Sequence, residues 1–310
     1  METTRLGRTG LRVSVAGLGS GGHSRLGRAT GRSREESLAV VRHAIDGGVN
    51  FIDTAFAYGT EAIVGQAIRE SGEAVIVSTK CSPTRNGELV RGEDVLGFCE
   101  ASLRRLGLEA IDVYILHGVL PSEYEHAREE LVPALVKLRE QGKVRFCGLT
   151  ERFNADPAHA MLARALDDDF FDVVMVGYNL LNPSAKRTVF PRTVAADVGT
   201  QIMFAVRRAL AHPEVIAKVV AELVERGEVD GSVCDPSAPL DFLLAEASST
   251  VEAAYRFCRH TQGADVVLTG TGDRAHLESN LDAIQGPALS SESLERLERC
   301  FGGVDSVTGN

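Results

Sequence analysis

Three apolar runs in this chain each end in an ionisable side chain. Asp53 closes Val49-Asn50-Phe51-Ile52-Asp53, and Tyr58 follows in the next loop. Lys80 closes the run from Ala74, and His117 closes the run from Ile111. A tyrosine hydroxyl, with an ordinary pKa of about 10, donates its proton sluggishly near neutrality. A neighbouring ammonium favours the phenolate and so lowers that pKa, while a carboxylate keeps the ammonium charged and in place. Asp53, Lys80 and Tyr58 therefore make a coherent relay, and a neutral His117 can hydrogen-bond a substrate oxygen. The set suits protonation of a carbonyl oxygen while a cofactor delivers hydride to the carbon. Run backwards, it oxidises an alcohol with Tyr58 as base.

Taken singly, each residue has a plainer explanation. Asp53 could cap a loop amide, Tyr58 could pack, and His117 could be a satisfied strand-end histidine. Lys80 resists this treatment, because buried lysines are uncommon. Of the 33 basic residues only five are lysine, so a chain that otherwise uses arginine places a compact, tunable ammonium here. The four together, on consecutive strand ends, are what point to catalysis.

Such a set needs strands whose ends open onto one face. Strand and helix patterns alternate along the chain, the signature of a parallel sheet. Eight strands are expected, at 14–19, 49–53, 74–80, 111–117, 144–149, 172–177, 201–205 and 265–270. With helices between them they make a closed α/β (β/α)8 TIM barrel, a single domain over residues 1–310, whose catalytic groups gather at the carboxyl ends of the strands. Residues 5–13 read as an N-terminal β-hairpin. Ser33-Arg34-Glu35-Glu36 is a capping box, and Gly47-Gly48 stops the helix it opens. Long loops at the C-terminal face, 20–32, 118–128, 179–198 and 228–240, are expected to shape the substrate pocket. Residues 211–240 should be helical to about 227, and the tail 302–310 is expected to fray.

Composition narrows the partners. Hydrophobic residues make up 44% of 310, enough for a sizeable core, and the net charge is −10. An acidic surface argues against nucleic acid or an anionic membrane as partner, and the chemistry of the four residues suits a small-molecule substrate. The chain lacks a run of about eighteen apolar residues that would suggest a membrane span, and its N-terminus lacks the layout of a secretion signal. Six scattered cysteines, without metal-ligand spacing, read as free thiols in a reducing cytosol, so a cytoplasmic location and no metal site are expected. Oligomeric state has no sequence signal.

The words around these residues resemble the aldo-keto reductase superfamily, as a divergent member. Phe51-Ile52-Asp53-Thr54-Ala55 with Tyr58-Gly59 is similar to its second-strand signature. Ser102-Leu103-Arg104-Arg105-Leu106-Gly107, Ile111-Asp112 and Leu116-His117 match the next block, and Gly142-Lys143-Val144-Arg145 with Gly148-Leu149 and Tyr178-Asn179-Leu180-Leu181 match later ones. The resemblance covers almost the whole chain and implies an NAD(P)-dependent oxidoreductase acting on aldehydes, ketones or sugar-like alcohols. Its tetrad would be Asp53, Tyr58, Lys80 and His117, with Tyr58 as proton donor. The implied cofactor is NADP(H), with NAD(H) possible. Its implied contacts are Gly19, Ser20, Thr150, Arg207, Gly270, Thr271, Gly272, Arg274 and Asn280. Arg274 would reach a 2′-phosphate and Arg207 with Arg208 the pyrophosphate, unless the latter two are solvated helix-start charges.

The departures from the family cluster around that cofactor. Where the family holds the nicotinamide carboxamide with serine, asparagine and glutamine, this chain has Thr150, Glu151 and Met175. An ionised Glu151 accepts hydrogen bonds but donates none. The aromatic expected after the seventh strand is also missing, though Phe204 would serve in a register shifted by one. Two further readings therefore stand beside the first. One keeps the acid–base set but runs dehydration, epimerisation or elimination without net hydride transfer. The other is a non-catalytic dinucleotide-binding sensor.

Overall fold

In the computed structural model, which describes residues 1–310, a small hairpin precedes a barrel. Strands β1 (Thr3–Arg5) and β2 (Arg12–Ser14) pair antiparallel around a short turn at Gly7–Thr9, so the arms lie just outside the expected 5–13. The barrel strands are β3 (Ala16–Gly19), β4 (Phe51–Asp53), β5 (Ile76–Cys81), β8 (Ile111–Val119), β9 (Val144–Glu151), β10 (Val173–Gly177), β11 (Gly199–Met203) and β12 (Val266–Thr269). They are all parallel and close in sequence order, β12 pairing back onto β3. A two-residue ribbon, β6 (Thr84–Arg85) with β7 (Glu88–Leu89), follows β5 outside the barrel. The result is a (β/α)8 TIM barrel. Parallel strands are covered on both faces, which is why they read as nearly continuous apolar runs.

The core divides in two. A cluster of 73 buried residues fills the space between strands and surrounding helices. A separate cluster, containing Leu6, Leu11 and Val13 from the hairpin with Phe51, Val113, Ile115, Val173 and Val266, fills the bottom of the barrel. A Cβ on Gly199, at the start of β11, would lie 2.8 Å from the Leu6 side chain, so the hairpin seals the amino end of the strands. Asp53 and Lys80 lie at the opposite, carboxyl end. The helix Arg34–Asp46 begins with the expected capping box, the Ser33 hydroxyl accepting from the Glu36 N–H, and Gly48 follows its end at φ +86. Such a cap contributes about 1 kcal/mol.

Several boundaries differ from expectation. The run 14–19 is split, because Ser14 pairs in the hairpin before β3 begins. The seventh strand lies at Gly199–Met203 rather than 201–205, since Phe204 turns to φ +65 and leaves the ladder. The expected loop 118–128 is partly regular: β8 runs to Val119, and continuous helical turns begin at Tyr124 and lead into the helix Val132–Glu140. Within 179–198 lie two short helices, Ala185–Thr188 and Phe190–Ala195. The helix in 211–240 is Pro213–Glu225. The tail is not frayed. Val304 is buried, the Nδ2 groups of Asn182 and Asn179 donate to the Val307 and Thr308 carbonyls at 2.8 and 3.2 Å, and the Ala209 N–H donates to Gly309. The small polar residues that suggested a loose end instead expose backbone carbonyls to two buried amides.

Candidate active site

The four tetrad residues converge. Asp53 is the last residue of β4, and Lys80 the penultimate residue of β5, one strand over. Lys80 Nζ donates to Asp53 Oδ2 at 2.6 Å and to the Thr54 carbonyl at 2.8 Å, and its side chain is fully buried. Burial pulls the ammonium down, but Asp53 and Tyr58 together hold it above its ordinary value. Burial pushes the Asp53 carboxyl up against the pull of Lys80. Removing either partner would strand the other's charge in the interior.

Tyr58 ends a short turn, Phe56–Tyr58, and its ring lies above this pair, 5.0 Å from Nζ to the ring centroid. The turn is closed by Gly59 at φ +72, and the ring edge rests on Gly21, where a Cβ would lie 2.4 Å from it. Burial raises the phenol above its ordinary value and Lys80 pulls it back, so the ammonium acts in the expected direction without winning outright.

His117 owes its aim to an irregularity. The β8–β9 ladder shifts register between Leu116 and Val119, and Gly118 adopts φ +68. A bulge of this kind re-aims a side chain at a strand end. It brings Nε2 to 3.3 Å from the Tyr58 hydroxyl. Burial, with the charges of Lys80 and Arg152, lowers His117 to about 3, so the ring is neutral as expected. Arg152 sits beside it, its Nε donating to the Gly118 carbonyl at 3.1 Å. Cys81, next to Lys80, is buried and its thiol is pushed up to about 12, which leaves it unreactive.

The residues expected at the cofactor are more scattered. Gly19 ends β3 and meets Gly270, where a Cβ would come within 2.9 Å of the Gly19 carbonyl oxygen. Gly272 packs on the backbone of Gly27, and Arg32 reaches Asp273 at 3.1 Å. The later half of loop 20–32 therefore borders the Gly270–Gly272 turn rather than the tetrad. The helix Arg274–Gln285 is N-capped by Asp273, whose side chain accepts from the His276 N–H, and the Asp273 N–H donates to Thr271 Oγ1. Arg274 is exposed, with Nη2 3.3 Å from His43 Nδ1. Asn280 Nδ2 donates to Thr269 Oγ1 at 2.9 Å. Ser20 is fully buried with its hydroxyl 2.8 Å from that of Thr60, and Thr150 turns its hydroxyl to the Glu151 carbonyl at 3.2 Å.

Glu151 does not face the barrel mouth. Its carboxyl lies 2.9 Å from Nδ1 of His159 and accepts from the Gly177 N–H at 2.8 Å, and both side chains are fully buried. His159 was not singled out from the sequence. It lies in an aperiodic loop, and the available signal was Glu151 itself, since a carboxyl in an apolar strand demands a partner. Met175 is buried in register with Thr150. Phe204 and Arg207 lie together, the guanidinium 4.0 Å from the ring centroid. Arg207 Nη1 is buried without a partner. No group of three or more His, Cys, Asp or Glu is placed to hold a metal ion, and no helix is long and apolar enough to cross a membrane.

A closed parallel barrel thus carries, at the carboxyl ends of its strands, a buried lysine–carboxylate pair beneath a tyrosine and a neutral histidine. The family model for the aldo/keto reductase family matches residues 17–301, and the chain belongs to that family. It is 35% identical over 157 residues to L-galactose dehydrogenase of Arabidopsis thaliana, a match covering 48% of each chain and so about half that relative's length. It is 28% identical over 313 aligned positions to aldo-keto reductase YhdN of Bacillus subtilis, covering 94% of this chain and 91% of the relative. Among solved structures it resembles aldo-keto reductase AKR11C1 from Bacillus halodurans in its holo form, with TM-score 0.76 and 19% identity over all of both chains. It also resembles an aldo-keto reductase from Klebsiella pneumoniae in complex with NADPH, with TM-score 0.70 and 24% identity, over 98% of this chain and 96% of that one. At these identities the structural agreement is one of fold.

Proposed function

We propose that this protein is an NADP(H)-linked oxidoreductase that reduces an aldehyde or ketone, or oxidises a sugar-like alcohol, with Tyr58 as proton donor or acceptor. The observation that carries this reading is the buried Lys80–Asp53 pair, 2.6 Å apart, set below Tyr58. A bound reduced nicotinamide would supply hydride to the carbonyl carbon. Tyr58 gives its hydroxyl proton to the carbonyl oxygen, and the Lys80 ammonium stabilises the phenolate that forms. Neutral His117, whose Nε2 lies 3.3 Å from the phenol oxygen, hydrogen-bonds the same carbonyl oxygen and orients it.

Support for the dinucleotide comes from Arg207, whose Nη1 is buried without a partner and whose position after β11 suits a phosphate. Arg274 stays exposed for a 2′-phosphate, and the Klebsiella pneumoniae relative is described in complex with NADPH. Glu151 turns inward onto His159, so it puts no charge against a carboxamide. That removes part of the reason for considering chemistry without hydride transfer. The test is saturable NADPH and NADH binding to the purified protein, then a carbonyl and sugar-alcohol screen followed by nicotinamide absorbance. No binding to either nucleotide, or cofactor-dependent turnover unchanged in Tyr58→Phe, would overturn the reading.

A further inference from the structure

One column of side chains crosses the carboxyl ends of three strands. The His159 and Phe153 rings stack with centroids 5.5 Å apart and planes 18° apart. Phe153 stacks in turn on Phe204, at 6.1 Å and 24°, and the Arg207 guanidinium covers Phe204 at 4.0 Å. The inner end is pinned by Glu151, which holds His159 Nδ1 and the Gly177 N–H together. Gly177 is part of the device, because a Cβ there would lie 2.3 Å from the Phe153 ring.

Ordinary apolar packing does not account for this column. Both of its ends are polar, and each carries a buried nitrogen without a partner, His159 Nε2 and Arg207 Nη1. Two of its members, His159 and Phe204, hold left-handed backbone at φ +63 and +65. Strain of that kind in side-chain-bearing residues persists where the surroundings over-determine it, and it clusters at ligand sites. A planar guanidinium stacked on a ring has its plane fixed, and its free N–H edge is thereby aimed.

We infer that Glu151, His159 and Phe153 are positioning residues that set Phe204 and Arg207 for the nicotinamide and diphosphate half of a dinucleotide. The inference rests on the cofactor reading above. It explains why the glutamate at position 151 faces inward: it buttresses the wall of the site from behind.

The test compares two probes, NADPH and adenosine 2′-monophosphate, the latter lacking the nicotinamide and diphosphate half. Phe153→Leu should weaken NADPH binding about tenfold while binding of adenosine 2′-monophosphate changes less than about twofold. The KM for NADPH should rise with kcat at saturation little changed. Arg207→Lys, at the half-exposed outer end, keeps the charge but loses the plane, and should show the same split even if Phe153→Leu folds poorly. The double variant should cost less than the sum of the two, since both act through one stack. Parallel loss of both probes, or no loss in either variant while the wild-type protein binds NADPH, overturns the column and leaves the cofactor reading standing. Wild-type protein that binds no NADPH overturns both.

Discussion

The Tyr58 hydroxyl lies 3.3 Å from Nε2 of His117, and the two rings meet edge to face at 86°. One side chain comes from a turn after β4 and the other from a bulge in β8, so neither strand alone creates the contact. A substrate oxygen resting against both atoms would meet a hydroxyl and a neutral hydrogen-bonding partner at once.

Replacing Tyr58 by phenylalanine removes the proposed proton donor but keeps the ring that rests on Gly21. Turnover should fall about 10³-fold, within the usual contribution of a positioned acid. NADPH affinity should be unchanged. Steady-state kinetics beside direct binding separates the two, and a loss of both together would contradict the assigned role.

Lys80→Met leaves the Asp53 carboxyl buried with no cation. Breaking a buried pair from one side costs about 3–5 kcal/mol, read as a lower urea midpoint. Adding Asp53→Asn should recover part of that loss, because no charge is then stranded. A double variant no more stable than the single would show that the pair is not coupled.

His117 carries a pH signature. Its folded pKa is lowered from 6.5 to about 3, so between those values the unfolded chain binds more protons than the native one. The contribution is fully present above 6.5 and is lost as pH falls, at no more than about 1.4 kcal/mol per pH unit. Unfolding titrations between pH 7 and 5 should show a steeper loss for wild type than for His117→Asn. Equal slopes would mean that His117 titrates normally.

Gly177→Ala places a methyl where the Phe153 ring lies. The ring must move, at about 1–3 kcal/mol for an overpacked site. Thermal melts measure the cost. An unchanged melting temperature would show that the ring has room to move.

Deleting residues 303–310 exposes the surface under Val304 and takes away one of the two carbonyl partners of each of the Asn179 and Asn182 amides, leaving those of Phe204 and Pro157. Each amide N–H left buried without a partner costs about 1–3 kcal/mol. A lower melting temperature is expected, and an unaltered one would return the tail to the loose end its composition suggested.

The barrel, and the placing of Asp53, Lys80 and His117 near the ends of its strands, were legible in the order of residues alone. Parallel strands are buried on both faces, so Val49–Asp53, the run to Lys80 and the run to His117 stand out as apolar, and an ionisable residue closing each is visible against them. The capping box at Ser33 and the stop at Gly47-Gly48 were legible for the same reason, since each is a local device a few residues long. The direction of Glu151 emerges only on folding, because its partner His159 sits in a loop without periodicity and the two meet through the end of β10. The left-handed turn at Phe204, the bulge that aims His117 and the docking of the tail on Asn179 and Asn182 were hidden likewise. Each depends on contacts between segments far apart in the chain, and such contacts leave no spacing in a single sequence to read.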